Sequence, residues 1–399
     1  MYEIKRFPHD GTIDADGHVL EPVWLWERYL EERYQERALR VVLDDDGLEE
    51  FQLDGRRSQR TIKGAISVMG AMGDDNARPS RERRYMDHIP YGAGDPNERV
   101  ALLEKENVDA TLLYGTLELL WECELTDPEL TIAHCRAYNR WLADFCREHE
   151  QLIPIAHLSL LDPVASAAEL RRAVADGCKG GWVTPFSHSR KAHGHPDHDV
   201  LWQTAVELDV PMTIHPAFEP TWCIPVRFDE LGHAAAFHYN VMGRQGSQQA
   251  LLSMFTHGTL DRFPTLRLGV LEAGMGWAGS FLDRADAVYD TMVGRTVKLS
   301  ATPSEIFARQ CFISGDPDER AAAYILDHVG SHCFAWASDY PHPDHPGTWV
   351  DALTSLVATL GDETRQRLLG DNIRRIYNLT VCPGRTAGTG RDAERGTRR

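Results

Sequence analysis

Eight short, nearly unbroken apolar runs recur along the chain, and each is followed by polar residues and then by a helical pattern. They are Thr12–Asp16, Ala110–Tyr114, Leu152–Leu158, Gly180–Thr184, Pro211–His215, Leu266–Glu272, Cys311–Ser314 and Cys333–Asp339. Continuous rather than alternating apolar residues mark strands covered on both faces, and such strands pair in parallel. The segments between them space their apolar residues as helices do. Glu129–Glu150 aligns Ile132, Tyr138, Leu142 and Phe145, and Pro163–Ala175 has Asp162 placed to cap it and Gly177 just beyond its end. His198–Asp209, Gly276–Met292 and Glu319–Val329 follow the same pattern. Strand then helix, eight times over, predicts an α/β fold of the (β/α)8 TIM-barrel type.

Two connections are too long for a regular barrel. Val19–Pro96 holds a polar stretch at Asp44–Arg60 and a Gly/Met loop at Lys63–Gly73, and Ala217–Asn240 follows the fifth run. Loops that follow barrel strands form the catalytic face, so insertions after strands 1 and 5 should wall the mouth of a distorted barrel. Residues 1–382 read as one barrel domain, and 383–399, rich in Gly, Thr and Arg, as a disordered tail.

The net charge of -18 sets an acidic surface against phosphate backbones and anionic lipids, which disfavours nucleic acid and membrane as partners. The N-terminus lacks the apolar core of a secretory signal, and no apolar run approaches the roughly 18–20 residues that cross a bilayer. The eight cysteines include no C-x-x-C pair and read as reduced core residues, which suggests a cytoplasmic protein without a cysteine-built metal site. No Gly-rich phosphate loop follows a strand. A small-molecule substrate remains the expected partner.

Residues that bind metals fall at the ends of the runs. The first ends in Asp14-Ala15-Asp16-Gly17-His18, the fifth at His215, the sixth at Glu272 and the eighth at Asp339. In a regular strand Asp14, Asp16 and His18 would share one face. Any one of these residues alone is weak evidence, since a lone His before Pro is ordinarily a turn residue. Together they would bury several unpaired polar groups at one rim unless something bound them, and a divalent cation is the simplest occupant. His342 and His157 are candidates for substrate contact, although a hydrogen-bonded core histidine explains His157 equally well, and Trp182, Phe186, Phe218 and Trp222 are candidates for an apolar wall, although core packing explains Trp182 equally well. His188, His193, His195 and His198 read as a solvated loop. His238 and His257 flank the approach to the sixth strand, and Arg227, Arg244 and Lys63 could grip a substrate carboxylate.

Several of these motifs resemble the amidohydrolase-related branch of the amidohydrolase superfamily, which includes aminocarboxymuconate semialdehyde decarboxylase and γ-resorcylate decarboxylase. They are Ile13-Asp14-Ala15-Asp16-Gly17-His18-Val19-Leu20-Glu21-Pro22, Pro211-Met212-Thr213-Ile214-His215-Pro216, Leu260-Asp261-Arg262-Phe263-Pro264-Thr265-Leu266 with Leu271-Glu272-Ala273-Gly274, Ala337-Ser338-Asp339-Tyr340-Pro341-His342, and Gly370-Asp371-Asn372-Ile373-Arg374-Arg375-Ile376-Tyr377. The resemblance implies one divalent metal ion held by Asp16, His18, His215 and Asp339, with zinc first and manganese or iron admitted by the same ligands. A two-metal site is disfavoured, because Val183-Thr184 stands where a bridging Lys would end the fourth strand. The chain departs from the decarboxylases twice, with Asp16 in place of His or Glu and Glu272 in place of a catalytic His. Asp339, Glu272 and His215 are the expected catalytic groups, Glu272 as proton carrier or as a further ligand. Non-oxidative decarboxylation of a small unsaturated or aromatic acid leads, ahead of hydrolysis of an amide, lactone or C–C bond, and ahead of a non-catalytic binding barrel. The resemblance also implies a homodimer.

Overall fold

Each of the eight apolar runs carries a strand. The structure, a computed structural model, describes residues 2–223, 235–242 and 244–380. Its strands are β1 (Ile13–Val19), β2 (Arg40–Leu43), β3 (Glu49–Leu53), β4 (Arg56–Arg57), β5 (Ala110–Gly115), β6 (Leu152–His157), β7 (Gly180–Val183), β8 (Met212–Ile214), β9 (Leu268–Val270), β10 (Cys311–Gly315) and β11 (Phe334–Trp336). Eight of them form one parallel sheet in the order β1-β5-β6-β7-β8-β9-β10-β11. The sheet curls until its ends meet, where Asp339 N donates to Asp16 O at 2.9 Å and His18 N to Tyr340 O at 2.8 Å. The result is a nearly closed (β/α)8 barrel.

Local chemistry fixes the helices between the strands. Asp127 caps Pro128–Cys146, and Asp162 caps Pro163–Ala175, its carboxylate accepting from Ala165 N at 3.0 Å. Thr302 and Glu305 close a reciprocal capping box on Pro303–Gln310. The helix expected over Glu319–Val329 is shorter, Ala322–Ile325 running into a π-helical turn at Leu326–Gly330. None of the described helices is long and apolar enough to cross a membrane. The tail from Pro383 lies outside the described residues, as does Arg227.

The polar stretch in the first insertion is regular structure. It folds as a small antiparallel sheet, β2-β3-β4, that buries Phe51 and Leu53. It is fastened by Glu49, which accepts from Tyr85 N at 2.7 Å, and by Gln59 N donating to Glu124 at 2.8 Å. So few of its side chains reach the core that its alternation is hard to see in sequence.

The first strand also departs from regular pairing. Asp14 pairs with Thr111, but the next matched residue is Gly17, opposite Leu113. This bulge shifts the side-chain alternation by one position. Asp14 therefore meets Ser338 and Thr111, while Asp16 and His18 turn towards His215 and Asp339.

Candidate metal centre

Four strand ends deliver ligand-type side chains to one buried point. His18 Nε2 lies 3.3 Å from Asp16 Oδ1 and 3.1 Å from Asp339 Oδ1. His215 Nε2 lies 3.3 Å from the same Asp16 oxygen and 3.6 Å from Glu272 Oε2. One donor atom each from Asp16, His18, His215 and Glu272 all fall within 4.8 Å of one another. Asp16 and His18 are wholly buried, and Asp339 nearly so.

Backbone contacts settle which imidazole nitrogen faces inward. His18 Nδ1 sits 2.8 Å from Gly115 O, and His215 Nδ1 sits 2.7 Å from Pro216 O. A carbonyl only accepts, so each Nδ1 bears a proton and each Nε2 is the nitrogen that faces the carboxylates. Imidazole nitrogens this close to carboxylate oxygens need positive charge between them, which a proton on Nε2 or a cation in its place supplies. Asp16 Oδ2 and His18 Nε2 are buried without a hydrogen-bond partner. Orphaned acceptors of this kind fit a divalent cation.

The charges of the cluster are strongly coupled. Burial opposes ionisation of His18, but Asp16 and Asp339 outweigh it and hold the imidazole well above its ordinary range. For Asp16, burial is outweighed by His215 and His18, which draw its carboxyl down. Asp339 is held well below the usual carboxylate range, since His342, His345 and His18 overcome burial. Glu272 goes the other way. Burial first, then the carboxylates of Asp339, Asp344 and Asp16, push it well above the ordinary value. Both Glu272 and Asp339 occupy the left-handed backbone region, with φ of 43° and 52°. Strain of this sort in non-glycine residues gathers where function over-determines the backbone.

The remaining candidates divide clearly. His342 braces Asp339, its Nδ1 lying 3.0 Å from Oδ1 and its Nε2 3.0 Å from Thr116 Oγ1. Phe218, Met69, Leu119 and Leu120 wall a cavity of about 140 Å³ that opens onto Glu272, His342, Asp344, His345 and Arg244. His157 does not reach it. Both its ring nitrogens are taken inside the protein, Nδ1 by Glu118 at 2.7 Å and Nε2 by Glu122 at 2.9 Å, and its ring stacks on Trp182 at 3.8 Å. Trp182 is fully buried beneath the centre, its ring 5.5 Å from His215. Phe186, Trp222 and His238 line a separate cavity of about 410 Å³ that holds none of the four clustered ligands.

The histidine tract does not gather. His193 Nε2 binds Thr184 O at 2.8 Å, His198 Nδ1 binds His193 O at 3.2 Å, and His188 Nε2 binds Glu122 O at 3.1 Å. His195 Nδ1 accepts from Asp197 N at 3.1 Å, with the His257 ring 5.9 Å away. Of the suggested cations, Lys63 pairs with Asp44 at 3.2 Å, and Arg244 reaches the cavity while bonded to Asp316 at 3.1 Å. The sequence reading missed His345. Its Nε2 lies 3.3 Å from Asp339 Oδ2 and its Nδ1 4.0 Å from Asp316. The one signal for it was its place in the same short loop as Asp339 and His342.

A (β/α)8 barrel with carboxylates and imidazoles gathered at the ends of its strands defines a metal-dependent barrel enzyme. The sequence profile of the amidohydrolase family matches residues 86–379, and the chain belongs to that family. It is 24% identical over 300 residues to a gamma-resorcylate decarboxylase of Rhodococcus jostii, covering 70% of this chain and 87% of the relative. It is 33% identical over 153 residues to the decarboxylase orsB of Emericella nidulans, a match that spans 35% of this chain and only 44% of that protein. Among solved structures, an amidohydrolase of Mycobacterium avium subsp. paratuberculosis superposes with a TM-score of 0.76 at 19% identity, covering 92% of this chain and 98% of the other. A 5-carboxyvanillate decarboxylase of Novosphingobium aromaticivorans, with bound manganese, superposes with a TM-score of 0.68 at 19% identity, covering 94% and 100%.

Proposed function

We propose that this chain is a metal-dependent, non-oxidative decarboxylase of a small aromatic or unsaturated carboxylic acid. One observation carries the reading. The unpartnered Asp16 Oδ2 and His18 Nε2 belong to a cluster that also includes Glu272, a carboxyl group that burial and its neighbours push well above the ordinary carboxylate value, and Glu272 faces an apolar-walled cavity.

Asp16, His18, His215 and Asp339 would hold one divalent ion, with His342 steadying Asp339 from behind. When bound, that ion supplies Lewis-acid polarisation of a substrate oxygen. Met69, Leu119, Leu120 and Phe218 take the flat face of the substrate and keep water from it. Glu272 gives its proton to the ring carbon that bears the carboxylate. The bond to the carboxylate carbon then breaks, its electron pair returns to the ring and carbon dioxide leaves. The Glu272 carboxylate recovers its proton from solvent. Arg244 is placed to orient a second polar group of the substrate. Zinc is our first choice of ion on the two imidazoles, and manganese, bound in the carboxyvanillate decarboxylase neighbour, is the next. A single barrel domain over residues 1–382, a homodimer and a cytoplasmic location complete the proposal.

Glu272 also supports a second reading. A carboxylate in place of an imidazole can act as base towards water, which is hydrolysis of an amide, lactone or C–C bond. Product analysis separates the two. Metal-loaded protein is incubated in D₂O with a panel of hydroxylated benzoates and unsaturated acids. Carbon dioxide release with deuterium at the vacated carbon is the expected result. No release from any member of the panel, together with 18O from labelled water in the product of an ester or amide panel, would overturn decarboxylation.

A further inference from the structure

We infer that Asp14 and Arg99 are positioning residues that set the affinity of the metal centre by holding the bulge in β1. The inference rests on the proposed ligand role of Asp16, His18 and Asp339.

Neither residue points into the cavity, yet both grip the backbone on either side of the ligands. The Asp14 carboxylate accepts from Ser338 N at 2.9 Å, Ser338 Oγ at 2.7 Å, Thr111 Oγ1 at 3.1 Å and Asp16 N at 3.3 Å. Arg99, from the helix Pro96–Glu106, donates from Nη1 to His18 O at 3.0 Å. The backbone at Asp16 and at His18, and the residue before Asp339, are therefore fixed from outside the barrel by one carboxylate and one guanidinium. Asp14 is 3% exposed and Arg99 1% exposed, so neither group is there for solubility.

Gly17 shows how tightly the device is built. A Cβ at this position would lie 2.4 Å from Thr111 Oγ1, 2.5 Å from Arg99 Nη2 and 2.8 Å from Asp14 Oδ2. The carboxylate and the guanidinium fill the space that any side chain at position 17 would need.

The consequence follows from strand geometry. With regular pairing, Asp14, Asp16 and His18 would share a face, and the two ligands could enter the barrel only together with Asp14. The shift between Asp14 and Gly17 sends Asp14 outward and the ligands inward. Hydrogen-bond donors around Asp14 on the outside, with the Arg99 guanidinium near by, keep the shift in place. Residues that orient metal ligands in this way typically alter metal affinity by about 10–100-fold when replaced.

The test measures zinc and manganese affinity by chelator competition for the full chain and for Asp14→Asn, Arg99→Met, Thr111→Val and Gly17→Ala, each with its melting temperature. Leu353→Ala, in the outer helix Trp349–Val357, is the control for stability loss alone. Asp14→Asn and Arg99→Met should bind the ion about 10–100-fold more weakly. Thr111→Val should give a smaller loss in the same direction, and Leu353→Ala should lower the melting temperature with affinity unchanged. Native affinity in folded Asp14→Asn and Arg99→Met overturns the inference, as does an equal loss of affinity in Leu353→Ala. If Asp14→Asn does not fold, Thr111→Val decides alone, and unchanged affinity in it overturns the inference. A wild-type chain that binds neither ion refutes the metal-dependent function itself, which is a different result from native affinity in the variants.

Discussion

Replacing His157 with Phe should destabilise the protein without touching the cavity. The ring sits between Glu118 and Glu122, with all three side chains at most 3% exposed, and it stacks on Trp182. Burial alone would lower its affinity for a proton, but Cys135, Glu118 and Glu122 outweigh burial and hold it well above the ordinary imidazole value. Phe preserves the stacking and most of the volume while removing both donors, so two buried carboxylates are left without their shared cation. Breaking a buried charge pair in this way costs about 3–5 kcal/mol. At about 2.1 cal/mol/K per residue, the 399-residue chain has an unfolding entropy of about 0.8 kcal/mol/K. The melting temperature should therefore fall by about 4–6 °C near neutral pH. Because the folded value of His157 is raised, its contribution is complete below about pH 6.5 and is lost as pH rises through the folded value. The gap between wild type and variant should therefore narrow on the alkaline side. Calorimetry across pH tests this. A loss below about 1 kcal/mol, or a gap that stays constant into alkaline pH, would refute the buried imidazolium.

Four further outcomes are expected. Asp339→Ala and His215→Ala should lose both bound ion and turnover, read by elemental analysis and by product formation. Glu272→Gln should keep its ion while kcat falls by about 10²–10⁴-fold, and loss of the ion instead would make Glu272 a ligand. Removal of the ion by a chelator, from a chain held at about 100 times its Kd, should cost about 2.7 kcal/mol, which lowers the melting temperature by about 3 °C. Glu106→Gln should flatten a pH dependence. Burial pushes Glu106 up to about 7, so the native state loses up to about 3 kcal/mol between pH 4.5 and 7 that the variant keeps, and the variant should be the more stable at pH 8 but not at pH 4.

The eight strands were legible because parallel strands buried on both faces leave continuous apolar runs, and β5 and β6 begin at the residues expected. The candidate ligands were legible because Asp16, His215, Glu272 and Asp339 break those runs at their ends. What could not be read was anything that depends on distance in space. The partners of His157 lie 39 and 35 residues away along the chain, so a histidine at a strand end read equally as a pocket residue or a hydrogen-bonded core residue. The bulge at Asp14–Gly17 changes the facing of a strand whose composition is unaltered. His345 became visible only when the loop after β11 curled back onto Asp339. The β2-β3-β4 sheet stayed hidden because its surface is polar and only Phe51 and Leu53 of its middle strand press fully into the core.

Anomalous diffraction at the absorption edge of zinc or manganese, on crystals of the loaded protein, addresses the heart of this account. It predicts a peak bonded to His18 Nε2, His215 Nε2 and one oxygen each of Asp16 and Asp339, at about 2.0–2.2 Å. A stoichiometric ion located anywhere else, or no peak at that point from a protein that turns over substrate, would contradict it.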